Sequence, residues 1–459
     1  MSHVIRNFEE LVSKGGSGRE VALKLLEEGL RAADPQIAVK RSLVVEGDNL
    51  LVRGIRLDLS KIGRIIVVGA GKASGFMAKA VEEVLDDRIN EGFVIVPKGS
   101  PLPHLKKVKL WEADHPIPSE RGVEGAKKIT RLVREVAGND TLIITLISGG
   151  GSALMPLPAE GISLEDKKEL TRLLLKSGAS IDEINVVRKH VSAIKGGRLA
   201  KLAYPSRLIS LIVSDVVGDR LDLIASGPTS PDPSTFSDAL NIIKRYGLEN
   251  KVPPSILNYI LRGVRGEVPE SPKPGDSIFN KVNNVIVASN RLSLTAMKEV
   301  AERLGYRALF LTSYMEGEAR HVGRFLSSIC KEIYYNDVPV RKPAVILAGG
   351  ETTVTVIGRG KGGRNQELVL GAFKGLSDLR NVVLASIGSD GIDGVTDAAG
   401  ALLDENVVRK AKELRLDPDT FLADNDSYTF FRKIGDGLIY TGYTGTNVND
   451  LTVACIGTT

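Results

Sequence analysis

Lys72 stands in the run Gly69-Ala70-Gly71-Lys72-Ala73-Ser74-Gly75, directly after the apolar segment Arg64–Val68. A lysine among glycines at a helix start can approach a phosphoryl oxygen as a point charge, while backbone N–H groups take other oxygens of the anion. A second run, Ser148-Gly149-Gly150-Gly151-Ser152, follows the β-branched segment Thr141–Ile147. Three glycines in a row free the backbone to turn several N–H groups toward one point, and two hydroxyls flank them. A third, Arg359 to Glu367, places three cations before a helix. Cations there oppose the helix dipole unless an anion is bound, so Arg364 reads as a fork for a carboxylate or phosphate.

Acidic loops complete the set. Asp215 and Asp219 follow one strand, and Asp390, Asp393 and Asp397 share a glycine-punctuated loop whose spacing is not that of an EF-hand. Carboxylates near phosphate loops commonly hold Mg²⁺, which needs only one or two protein ligands. His115, in Asp114-His115-Pro116, is the one histidine in a candidate site loop and is suited to take a proton from a hydroxyl. The Gly69–Gly75 run approximates a dinucleotide finger, yet Val96 is followed by Pro97-Lys98-Gly99 where an NAD site wants an acid. It is not a Walker A loop either. No zinc-protease helix motif or serine elbow is present. These parts suit phosphoryl transfer, in which Lys, Arg, backbone N–H groups and Mg²⁺ stabilise charge spread over the moving group.

The elements that must position these loops alternate strand and helix from Arg64 onward, the signature of a sheet covered on both faces. Residues 1–50 read as a helical arm. Residues 51–263 form one α/β domain and 278–459 a second. The Gly-, Pro- and Glu-rich stretch Val264–Ser277 is either the boundary or a surface excursion. Polar residues carry the chain from Pro97 to Ser119, and Val354–Ile357 reads as a strand before the third glycine loop.

At 459 residues the chain exceeds one ordinary core. A net charge of +5, with 42% hydrophobic and 25% charged residues, fits a globular protein and gives no support to nucleic acid binding. Cys330 and Cys455 are too few for a disulfide framework. No signal peptide or membrane span is legible, so a cytoplasmic location is expected. Glutamine occurs only at Gln36 and Gln366, a thermophile-like depletion of labile side chains.

Longer runs carry a resemblance. GAGKASGFMAKAVE, DHPIPSERGVEGAKKI, LISGGGSALMPLP, NVVRKHVSAIKGGRLA, SDVVGDRLDLIASGPTSPDP, GGETTVTVIGRGKGGRNQE, GSDGIDGVTDAAGALLD and YTGTNVNDL, in this order from about Arg64 to Asp450, resemble the class II glycerate kinase family. That resemblance implies a Rossmann-like parallel-sheet domain, a second α/β domain of the MOFRL type, and a site in a cleft between them. It implies ATP- and Mg²⁺-dependent phosphorylation of D-glycerate, with the family's essential lysine and arginine falling on Lys72 and Arg364. On that expectation Gly71, Ser74 and Ser148, Gly149, Gly150, Gly151 and Ser152 hold the nucleotide. Arg188, His115, Asp219 and Glu351 contact glycerate, and Asp215, Asp390 or Asp393 holds the metal. The compact thermophilic branch, which this chain resembles best, points to 2-phosphoglycerate. Glycerate 3-kinase chemistry, an NAD(P)-dependent hydroxypyruvate reductase and a non-catalytic nucleotide sensor are the alternatives, and a homodimer is one option for assembly.

Overall fold

In a computed structural model that describes residues 3–457, the chain divides into two compact units. One runs from Pro35 to Val287. The other joins the described residues up to Asp34 to those from Ala288 onward. The expected arm of residues 1–50 is therefore split at Asp34/Pro35, and the later boundary falls at Val287/Ala288 rather than within 264–277.

The 35–287 unit opens with a three-stranded antiparallel meander, β1 (Leu43–Glu46), β2 (Asn49–Val52) and β3 (Ile55–Asp58). Its main sheet holds β4 (Arg64–Ala70), β5 (Glu91–Pro97), β6 (Val108–Ala113), β7 (Thr141–Ile147), β8 (Arg207–Val213) and β9 (Val282–Ala288), in the order β6-β5-β4-β7-β8-β9. The pairs from β6 through β8 are parallel. β7 is buried along its whole length, as its continuous β-branched and leucine run demands of a strand covered on both faces. β6 lay outside the sequence reading, hidden in the polar stretch before Ser119, whereas residues 284–288, expected as a strand opening the second half, form part of β9 and return to the first sheet after the 264–277 excursion.

Beside that sheet the helices Leu164–Lys176, Ile181–His190, Phe236–Arg245 and Pro254–Val264 enclose a separate apolar cluster around Leu170, Leu174, Val187 and Phe236. Three of them start with reciprocal capping boxes, Ser163 with Asp166, Ser180 with Glu183 and Thr235 with Asp238. Each satisfies two otherwise orphaned N–H groups, which fixes where the helix begins.

The second unit is built on β10 (Arg307–Met315), β11 (Ala344–Gly350), β12 (Val382–Gly388), β13 (Gly400–Leu403), β14 (Leu438–Ile439) and β15 (Asp450–Ile456), ordered β10-β11-β15-β12-β13-β14. β10 and β11 are parallel and the other pairs antiparallel. The last strand thus enters the middle of the sheet, with Asp450 opposite both Gly350 and Gly388. The N-terminal helix Ser17–Ala33 buries Leu23, Leu26 and Leu30 in the core of this unit. Gly29 makes the close approach possible, since a Cβ there would lie 2.8 Å from Met297 Sδ and 2.9 Å from Leu451 Cδ1. Arg19, fully buried on the same helix, donates to Asp404 at 2.6 and 2.9 Å and to Asp436 at 2.8 and 3.1 Å. Residues 354–357 are irregular rather than a strand, because Asp424 and Asn425 take the N–H groups that follow. No described helix is long and apolar enough to cross a membrane.

Candidate active site

At the carboxyl ends of β4 and β7 the two glycine loops of the 35–287 unit lock together. Gly71 has φ +153°, and a Cβ there would fall 2.0 Å from Ser148 Oγ. The Ser148 hydroxyl accepts from Ala73 N at 3.0 Å and lies 3.2 Å from Ser74 Oγ, which donates to Leu146 O. Lys72 N donates to Gly149 O at 2.9 Å. Ser74 and Ser148 are buried and engaged with the chain itself, so they brace the loops rather than offer hydroxyls to a ligand. Gly71 serves the same close packing.

What the bracing leaves open is a concave patch of backbone. The N–H groups of Gly149 and Gly150 find no acceptor among the described residues. Gly150 adopts φ +84°, and a Cβ there would lie 2.9 Å from the His115 ring and 3.4 Å from Lys72 Cγ. At Gly149 a Cβ would meet Asp215 Oδ2 at 2.2 Å. Lys72, His115, Asp215 and the open N–H groups therefore converge on one spot. Burial, and then the Lys72 charge, lowers the His115 pKa, which keeps the ring neutral near pH 7. Asp219, at φ +55°, is half-buried four residues beyond Asp215. Gly151 packs on Ala225, and Ser152 Oγ lies 2.7 Å from Ser226 Oγ.

In the other unit, the structure corrects the reading of the third glycine loop. Its N–H groups are taken by protein: Arg359 N donates to Asp424 and Lys361 N to Asp426, both at 2.8 Å. Gly363 is a glycine because a Cβ would strike Asp393 at 2.3 Å. Asp393, buried, accepts from Asn365 N at 3.0 Å and Gln366 N at 2.8 Å, and both of those side chains bond it too. An internal carboxylate thus caps the helix Arg364–Gly371, and no outside anion is needed there. Asp393 has no oxygen to spare for a metal. Asp390 accepts from Ile392 N and shapes its turn.

Arg364 forks between Glu351, at 2.6 Å, and Asp450, at 2.8 Å. Glu351 is therefore the partner of Arg364. Burial opposes the guanidinium charge, but Asp450 and Glu351 outweigh it and raise the Arg364 pKa. Burial also pushes the Asp450 carboxyl up to about 7, against the pull of Arg364. Asp450, which the sequence reading passed over, is the residue that holds Arg364 in place.

Family models match both parts of the chain: Domain of unknown function (DUF4147) over residues 21–261, and the MOFRL family over residues 344–450. The protein of Pyrococcus horikoshii named glycerate 2-kinase is 45% identical, covering 95% of this chain and 97% of its own. The chain belongs to the class II glycerate kinase family. A solved structure of glycerate kinase from Thermotoga maritima superposes with a TM-score of 0.84 at 40% identity, covering 94% of this chain and 98% of that one. A protein of Agrobacterium vitis with a hydroxypyruvate reductase name is 40% identical over 96% of this chain and 95% of its own.

Two further cations of this glycerate kinase family member were not anticipated. Lys195 is buried and donates from Nζ to Ser152 O at 3.1 Å and Ser152 Oγ at 3.2 Å. Lys167, also buried, donates to Pro156 O at 2.8 Å. The signal was faint: each sits on a mixed run, KKEL or AIKGG, that reads as surface helix or turn. Arg188 joins them, half-buried and without a carboxylate partner among the described residues. Among those residues no cluster of three or more His, Cys, Asp or Glu is arranged to hold a metal ion.

Proposed function

We propose that this chain transfers the γ-phosphoryl group of ATP to the 2-hydroxyl of D-glycerate, giving 2-phosphoglycerate and ADP. The observation that carries this reading is the patch in which Lys72, neutral His115 and the open N–H groups of Gly149 and Gly150 meet at the end of β7. A loose phosphoryl-transfer transition state asks for fixed donors and positive charge around the equatorial oxygens, and this patch offers both. The glycerate oxygen attacks the γ-phosphorus as the bond to the ADP oxygen breaks. The hydroxyl proton passes to His115, whose neutral ring can accept it. Lys72 neutralises charge on the group in transit. Arg364 is held by Glu351 and Asp450 within its own unit.

Mg²⁺ fits the donor set at Asp215, which lies against Gly149, with Asp219 nearby; two carboxylates suffice for an ion that keeps waters and phosphate oxygens as its other ligands. When bound, it supplies charge neutralisation to the phosphates. Asp393, committed to its helix cap, is excluded from that role.

The reductase alternative is disfavoured by two features. No acid follows β5, and the Gly69–Gly75 finger is filled by Ser148 instead of standing open to a pyrophosphate. Phosphorus NMR of the product from D-glycerate, ATP and Mg²⁺ tests the proposal. A 2-phosphomonoester resonance is expected. A 3-phosphomonoester would overturn the regiochemistry, and nicotinamide oxidation by hydroxypyruvate without ADP release would overturn the kinase.

A further inference from the structure

A cavity of about 830 Å³ opens within the 35–287 unit, between the helices Leu164–Lys176 and Ile181–His190 and the segment after His115. One end is cationic, lined by Lys167, Arg188 and Lys195 with Ser152. The other end is apolar, with Ile117, Leu175 and Ile181 each 60% or more exposed around its mouth. The acids on its wall are already engaged. Glu165 pairs with Lys168 at 2.8 Å, Glu169 pairs with Arg172 at 2.7 Å, and Asp166 caps its helix. None of the three cations has a carboxylate partner among the described residues.

Three positive groups gathered without counter-charge repel one another and lose hydration together, an arrangement that an anion relieves. Burial, reinforced by Arg188, lowers the pKa of both lysines, that of Lys167 to about 7, as their mutual repulsion requires. Ser152 of this wall closes the Ser148–Ser152 loop and Pro116 of the wall follows His115, so the cavity adjoins the proposed phosphoryl site. Its volume lies in the range that encloses a ligand of nucleotide size and far exceeds a three-carbon acid.

We infer that this cavity binds the nucleotide of the phosphoryl donor, with its phosphates on Lys195, Arg188 and Lys167 and its base on Ile117, Leu175 and Ile181. This rests on ATP being the donor. The anchoring cations are then separate from Lys72, which is left to the group in transit. Arg188 serves the donor rather than the glycerate carboxylate.

Calorimetric titration of the full chain with ADP and with pyrophosphate, beside steady-state kinetics, tests the assignment. Arg188→Met is expected to weaken both ligands by about tenfold, the loss of one charge-assisted contact. Leu175→Glu, at an exposed position that folding does not need, is expected to weaken ADP severalfold and leave pyrophosphate unchanged. The KM for glycerate should stay within about twofold of wild type in both. Unchanged ADP affinity in Leu175→Glu overturns the inference, as does a glycerate KM that rises while ADP binding holds. The two readings fail separately. Wild-type protein that binds ADP in this way but phosphorylates no glycerate sinks the proposed acceptor and leaves the cavity assignment standing. Active protein whose variants bind ADP normally does the reverse.

Discussion

Lys72 is half-buried, and its ammonium makes no ion pair among the described residues, so its removal should harm chemistry and spare the fold. Lys72→Ala is expected to lower kcat by about 10²- to 10³-fold, the usual cost of deleting one transition-state donor. Its thermal unfolding midpoint should stay near wild type, and full turnover would remove the lysine from the mechanism. His115 makes a pH prediction whose sign follows from its surroundings. Burial and the Lys72 charge depress its pKa below the ordinary 6.5, so the base form persists at neutral pH and is lost only as pH falls through that lowered value. The acid limb of kcat/KM should therefore lie below 6.5, and His115→Gln should flatten it. Asp393 makes the opposite case. Asp393→Ala strands the N–H groups of Asn365 and Gln366 together with two side-chain amides, all buried. Chemical denaturation should show a loss of about 2–4 kcal/mol.

At the scale of the element, the braced glycine loops are the most exacting feature. Gly71→Ala places a methyl 2.0 Å from Ser148 Oγ at φ +153°, and Gly149→Ala places one 2.2 Å from Asp215 Oδ2. Gly71→Ala is expected to lose about 1–3 kcal/mol to backbone strain, with activity lost beyond what the stability change explains. Legibility from sequence follows the same division. The strand-to-loop transition at Ile147/Ser148 was plain, and the one after β4 was placed at Val68/Gly69, two residues short of its end at Ala70, because a β-branched run leading into glycines has few other meanings. The convergence of His115 was guessed from residue type alone. The third glycine loop misled, because Gly358, Gly360 and Gly363 are demanded by Asp424, Asp426 and Asp393, each 30 or more positions away and silent in any local window. Lys167 and Lys195 were missed for a related reason: their burial is produced by tertiary packing, and a lysine on a helix ordinarily faces water. β6 escaped because Lys109 and Glu112 break its apolar run without a regular alternation, at a half-covered sheet edge.

On the scale of the molecule, the two units differ in how chain order relates to core. The 35–287 unit is continuous and carries its own apolar clusters, so the corresponding fragment should fold alone, with cooperative unfolding by circular dichroism. The other unit is assembled from both ends of the chain. A fragment starting at Ala288 lacks Leu23, Leu26 and Leu30 from its core and leaves Asp404 and Asp436 without Arg19. It should remain soluble only when a peptide spanning residues 1–34 is added. In the intact chain, Arg19→Met is expected to cost about 3–5 kcal/mol, because it abandons buried carboxylates.

The helix Ser17–Ala33 leaves the ribosome long before β15, a strand of its own unit. At about 5–20 residues per second, translation keeps that helix waiting roughly 20–90 s for its core. During that interval the nascent middle of the protein can finish its own sheet, while a greasy leucine ridge stays bare near the tunnel exit. A premature stop codon anywhere before residue 450 would make that exposure permanent, which marks early-terminated products for chaperone capture and proteolysis even when their middle section is sound.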